Sequence, residues 1–148
     1  MFLFLGRIEK FTEMKQIISS PDMPKAVGPY SPAVKVNGTL YISGQIPVNP
    51  KTGLMPDSIE AQTRQALDNL GAILKAAGMT YGDVVQTTVL LDNINDFAAM
   101  NAVYAEYFVK DLPARVCYEV AAIPKGALVE IAATAVQADD IEPDMAGE

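Results

Sequence analysis

Two charged residues stand where a charge is costly. Arg115 opens a β-branched run just after Pro113, and Glu130 interrupts Leu128-Val129-Glu130-Ile131-Ala132-Ala133, a stretch otherwise suited to burial. The planar fork of an arginine matches a carboxylate bidentately, which the point charge of a lysine cannot do. Arg115 therefore reads either as a clamp for a ligand carboxylate or as half of a structural ion pair. Burial would raise the pKa of Glu130 and a nearby cation would oppose that rise. Either influence poises the carboxyl to handle protons or to order a water. The structural alternative for Glu130 is an exposed strand face or a pair with a neighbouring base.

Other residues could complete a pocket. Tyr30 lies in Gly28-Pro29-Tyr30-Ser31-Pro32, a rigid loop, where it either walls a pocket and donates a hydrogen bond or packs at the surface. Ser43-Gly44 follows a strand-like run, and its glycine marks a close backbone approach to a ligand or a bulge. Asn101 stands among apolar residues of a helical stretch as a pocket group or an exposed side chain. Cys117, two residues past Arg115, shares that face of the strand. With no obvious activator it reads first as a small buried residue.

The chain has no histidine and one cysteine. That composition removes Ser-His and Cys-His nucleophile pairs, imidazole acid-base catalysis, His-containing metal sites and cysteine zinc sites. It also removes any internal disulfide. Chemistry is left to Arg, Glu, Asp, Tyr, Lys, hydroxyl groups, backbone and water. No glycine-rich phosphate loop of the GxGxxG or GxxxxGKS/T kind is present.

The elements that must carry these residues are legible from periodicity. Asn37-Gly38 between Val34-Lys35-Val36 and Leu40-Tyr41-Ile42 predicts a tight hairpin. Pro47 to Gly53 reads as a loop. Thr63, Leu67, Leu70, Ile73, Leu74 and Ala77 recur at helical spacing, predicting a helix over 58–77 with an Asp57–Glu60 capping box and Gly78 at its end. Residues 83–92 read as a buried strand. Asn95 is expected to cap a second helix with Phe97, Met100, Tyr104, Tyr107 and Phe108 along its core side. A strand from Arg115 to Ala121 puts Arg115, Cys117 and Glu119 on one face, and Leu128 to Val136 forms the last strand. The order ββ-α-β-α-ββ predicts an α+β fold, a two-layer mixed sheet with two helices on one face. The uncovered sheet face, still apolar, predicts an oligomer.

At 148 residues the chain suits one domain. Residues 1–13 are expected as an N-terminal extension, 14–138 as the domain and 139–148 as an acidic, disordered tail. The net charge is −7; the tail holds five acids and no base and residues 1–13 cancel, which leaves −2 for the body. A near-neutral body argues against nucleic acid as the main partner. No apolar run approaches the ~20 residues of a membrane span, and the opening residues lack the pattern of a signal peptide. The cytoplasm is the expected location.

Taken together, these stretches resemble the reactive-intermediate deaminase A (RidA) family of imine/enamine deaminases. The resemblance rests on Ala26-Val27-Gly28-Pro29-Tyr30-Ser31-Pro32-Ala33-Val34, Ser43-Gly44-Gln45-Ile46-Pro47-Val48, Gln65-Ala66-Leu67-Asp68-Asn69-Leu70 and Asn95-Asp96-Phe97. It continues through Pro113-Ala114-Arg115-Val116-Cys117-Tyr118-Glu119-Val120, Pro124-Lys125 and Val129-Glu130-Ile131. It runs from about residue 14 to 137, and the segment before Pro113 is short for the family. The resemblance implies a chorismate-mutase-like subunit in a homotrimer with three clefts between subunits. It implies hydrolysis of 2-iminobutanoate and 2-iminopropanoate to 2-keto acids and ammonia, with no cofactor or metal. Arg115 would bind the substrate carboxylate and Glu130 would position water or handle protons, with Tyr30, Ser43, Gly44, Asn101 and Cys117 lining the cleft. Some relatives look like plain ligand-binding, regulatory or chaperone-like proteins, which is the competing reading. A ribonuclease role has also been proposed for some, but it fits poorly with a chain lacking histidine and a basic stripe.

Overall fold

Asn37 and Gly38 both take positive φ, 47° and 83°, which is what a two-residue turn between right-twisted strands demands. They join β2 (Ala33–Val36) to β3 (Thr39–Gln45), the first hairpin of a six-stranded sheet. The computed structural model describes residues 15–137. The expected extension, residues 1–13, and the acidic tail, residues 139–148, lie outside the described residues.

The sheet order is β1-β2-β3-β6-β4-β5, with β1 Lys15–Ile18, β4 Val84–Leu91, β5 Ala114–Glu119 and β6 Val129–Val136. Only β4 and β5 run parallel, joined by the crossover helix α2 (Phe97–Tyr107); the other pairs are antiparallel. Helix α1 (Ile59–Ala76) lies over β3 and β6 and beside α2. The fold is the expected α+β arrangement, a mixed sheet with two helices. Leu67, Leu70, Ile73 and Leu74 of α1 meet Met100 of α2 and Leu40, Val89, Leu91 and Ile131 of the sheet, all essentially without solvent contact. Each such aliphatic side chain contributes about 1.5–3 kcal/mol.

Three local expectations need correction. The strand β1 was not anticipated: its residues are mostly exposed, and it is held by pairing with β2 (Ile17 opposite Val34), not by an apolar pattern. The cap of α1 is Ser58, whose Oγ accepts from the Ala61 N–H at 3.1 Å, in place of an Asp57–Glu60 box. Asn93, not Asn95, supplies the capping carbonyl before α2: its Oδ1 accepts from the Asn95 N–H at 2.9 Å and starts a short 3-10 turn, Ile94–Asp96. Gly78 does end the first helix, with φ 74°. Among the described residues no helix is long and apolar enough to cross a membrane.

The register fixes which side chains share a face. Ile42, Ala133, Thr87 and Arg115 form one cross-strand row under the helices. The rows on either side, Thr134-Gln86-Ala114 and Ala132-Thr88-Val116, turn away from them, and so does the row of Glu130, Leu90 and Tyr118 three positions along β4. Among the described residues no layer covers the turned-away face. Tyr41, Val116 and Tyr118 stand on it 55%, 45% and 52% exposed.

Candidate active site

Arg115 is the second residue of β5, an edge strand, and its side chain reaches the helix face toward α2. Its Nη1 donates to Asn101 Oδ1 at 2.8 Å, and its guanidinium lies 4.7 Å from the ring centre of Tyr104 and 5.5 Å from that of Phe97. Phe97, Asn101 and Tyr104 follow one another at helical spacing, so one side of α2 forms the whole seat. Among the described residues Arg115 forms no ion pair. Among the described residues the one salt bridge is Arg64–Glu106 at 2.7 Å on the surface. Arg115 is thus a half-buried cation with most of its N–H donors left for a ligand. Cys117 lies on the same face, two residues on. Burial pushes its thiol up and the Arg115 cation opposes the shift, so it stays a thiol.

Glu130 belongs to the other face. The ladder between Ile42 and Gln45 shifts register against β6, so Ser43 and Gly44 form a bulge beside Glu130. Gly44 lies in the bulge, and the absence of a side chain there makes room for Glu130. A Cβ there would fall 2.9 Å from Glu130 Cδ and 3.1 Å from Cγ. The Gln45 side chain, 7% exposed, donates from Nε2 to the Ser43 carbonyl at 2.9 Å, satisfying a group the bulge takes out of the ladder. Glu130 has no hydrogen bond or ion pair to another described residue, and burial raises its pKa above the ordinary carboxylate value.

Tyr30 and Gly44 line one cavity of about 230 Å³, together with Pro32, Gln45, Lys25 and Lys125. Ser43 ties the Tyr30 loop to β3: its Oγ donates to the Ser31 carbonyl at 2.7 Å and its N–H to the Pro32 carbonyl at 2.9 Å. The Tyr30 hydroxyl accepts from the Val27 N–H at 3.4 Å, and the ring stays 49% exposed.

The candidate residues therefore fall into two groups. Arg115, Asn101 and Cys117 are together on the helix face at the β5 edge. Tyr30, Ser43, Gly44 and Glu130 are together around the bulge. β4 separates β5 from β6, and the two groups' strand residues point to opposite sides. Sequence reasoning missed several supporting residues. Asn69, 1% exposed, donates from Nδ2 to the carbonyls of Ile46 and Val48 at 3.2 and 2.9 Å and accepts from Gln65 at 2.9 Å, which pins the cavity loop on α1. Two polar residues four apart in an apolar helix were the available signal. Phe97 and Tyr104, expected as core, are the rings against Arg115.

Comparison with known proteins bears on these groups. The family model described as Endoribonuclease L-PSP matches residues 20–137. The mouse protein named 2-iminobutanoate/2-iminopropanoate deaminase is 51% identical over 125 residues, 84% of this chain and 93% of its own. The protein of the same name from Escherichia coli K12 is 47% identical over 127 residues, 84% of this chain and 99% of its own. Among solved structures, RidA from an Antarctic Psychrobacter superposes with a TM-score of 0.81 at 42% identity, covering 82% of this chain and 99% of that one. The chain belongs to the Endoribonuclease L-PSP family, in which its close relatives are RidA-type imine deaminases.

Proposed function

We propose that this protein hydrolyses small 2-imino acids of the 2-iminobutanoate and 2-iminopropanoate type to 2-keto acids and ammonia, in clefts between the subunits of a cytoplasmic homotrimer. The observation that carries the reading is the unpaired Arg115 fork, held by Asn101 and two rings with its donors free. A substrate carboxylate fits that fork in a way that fixes the imine carbon next to it. The names of the mouse and E. coli relatives supply the substrate class.

The opposite facing of Arg115 and Glu130 supports a site shared between subunits. One sheet cannot present both to a small molecule, but a second subunit can bring its bulge, Tyr30 and Glu130 against the first subunit's Arg115 edge. The exposed Tyr41, Val116 and Tyr118 give such an assembly apolar area to bury. In the cleft, water attacks the iminium carbon and the C=N electron pair moves to nitrogen. Glu130 takes a proton from that water and returns it to nitrogen, then takes the hydroxyl proton as the C–N bond breaks, giving the 2-keto acid and ammonia; that last proton leaves with the ammonia as ammonium. An iminium is already electrophilic, so orientation and a well-placed water suffice.

The test couples a dehydratase to the protein and follows 2-keto acid release, with 2-ketobutyrate affinity measured by calorimetry on the same preparations. Glu130→Gln is expected to keep affinity and lose most turnover; Arg115→Ala is expected to lose both. Wild-type protein that binds the keto acid without accelerating imine loss would make it a ligand-binding module instead.

A further inference from the structure

A fork useful for carboxylate recognition has to be fixed in plane as well as in place. An arginine brings ~2 kcal/mol of rotamer entropy to any such site, and less is lost on binding if the plane is already set. The single bond to Asn101 fixes one nitrogen of Arg115 but leaves the guanidinium free to turn about that contact. The face of Tyr104, 4.7 Å away and nearer than that of Phe97 at 5.5 Å, removes most of that freedom.

Tyr104 is itself locked. Its hydroxyl is 2.7 Å from Thr87 Oγ1, and both residues are buried, at 8% and 0% exposure. Thr87 is the cross-strand neighbour of Arg115 in the β4–β5 pair. The contacts close a loop: Arg115 backbone to β4, Thr87 side chain to Tyr104, and the Tyr104 ring back to the Arg115 guanidinium. If packing were the only demand, phenylalanine over valine would fill the same space without desolvating two hydroxyls. Burial also keeps the Tyr104 hydroxyl protonated, so it meets the cation with its ring and not as a phenolate.

We infer that Tyr104, fixed by Thr87, is the positioning residue that sets the plane of the Arg115 fork for the incoming carboxylate. This rests on the reading of Arg115 as a carboxylate clamp. Tyr104→Leu removes the ring, Tyr104→Phe keeps the ring and frees it, and Thr87→Val frees it from the other side. In Tyr104→Leu the Kd for 2-ketobutyrate and the KM for 2-iminobutanoate rise about tenfold, more than kcat falls. Tyr104→Phe and Thr87→Val each cost about two- to threefold, and the double variant is no worse than either, because all three cut one bond.

A second readout needs no ligand. In the NMR spectrum the Arg115 Nε–H signal carries a ring-current displacement in wild type and Tyr104→Phe, and in Tyr104→Leu it loses the share due to Tyr104 and keeps that of Phe97. Tyr104→Leu that assembles normally and binds the keto acid like wild type overturns the inference, as does Tyr104→Phe weakening binding as much as Tyr104→Leu. Were Tyr104→Leu not to fold, an Arg115 signal without displacement in wild type would overturn it equally. Unchanged keto-acid affinity in Arg115→Ala would instead remove the clamp reading, with the NMR displacement still deciding whether Tyr104 orders the guanidinium.

Discussion

Gly44→Ala separates the position of Glu130 from its chemistry. Gly44 does not have a positive φ, so alanine fits its backbone and the change is purely steric. The added methyl would lie 2.9 Å from Glu130 Cδ and 3.1 Å from Cγ, so the carboxyl group must withdraw by roughly 1 Å to regain ordinary van der Waals separation. Overpacking costs about 1–3 kcal/mol in a closed core. The lower end applies here, because the half-buried Glu130 can turn toward the uncovered face. For a chain of this length ~1 kcal/mol moves Tm by roughly 2–4 °C. A displacement of ~1 Å in a reacting group, however, can cost about 10²-fold in rate. The expected result in the coupled assay is a kcat about 10²-fold lower, with 2-ketobutyrate affinity within threefold of wild type and the assembly intact by light scattering. In a Glu130→Gln background the same substitution should add little further loss, since the group it displaces has already been disabled. Wild-type turnover in Gly44→Ala would refute the idea that a placed carboxylate matters. An undiminished further loss in the Glu130→Gln background would show that the methyl acts on the cavity and not through Glu130.

Three further outcomes follow from the same geometry. Because burial raises the Glu130 pKa, the native state holds that proton more tightly than the unfolded chain, so this stability is complete below the ordinary carboxyl pKa and is lost as pH rises through the raised one. Glu130→Gln should therefore gain Tm relative to wild type on going from pH 4 to pH 7 in parallel thermal scans; an equal difference at both pH values contradicts the assignment. Tyr118→Asp puts a charge on the uncovered sheet face, where Tyr118 is 52% exposed, and should shift the protein toward monomer in light scattering with loss of turnover; an undisturbed trimer would place the interface elsewhere. Asn69→Ala strips the Ile46 and Val48 carbonyls of their buried donor and should destabilise the fold by about 2–4 kcal/mol in urea unfolding; a loss below ~0.5 kcal/mol would mean that water replaces the amide.

Most of what depends on neighbours in the chain was legible in the sequence, the capping residues of the two helices excepted. Asn37-Gly38 turns because both positions tolerate positive φ, and the 58–77 helix follows from apolar residues at helical spacing. Period-two alternation put Arg115 and Cys117 on one face of a strand before any partner strand was known. The motifs around Tyr30, Gly44, Arg115 and Glu130 were enough to name the family. Whatever depends on register between distant strands was not legible. β1 has no strong pattern of its own and exists by pairing with β2, so only the assembled sheet reveals it. Arg115 and Glu130 each looked like a half-buried strand charge; β4 sets them on opposite faces through one parallel and one antiparallel ladder, a relation no local spacing encodes. Tyr104 looked like a core aromatic, and its burial agrees with that. Only the packing of α2 on β4 and β5 brings it between Thr87 and the guanidinium, because side chains far apart in the chain become neighbours when layers close on one another.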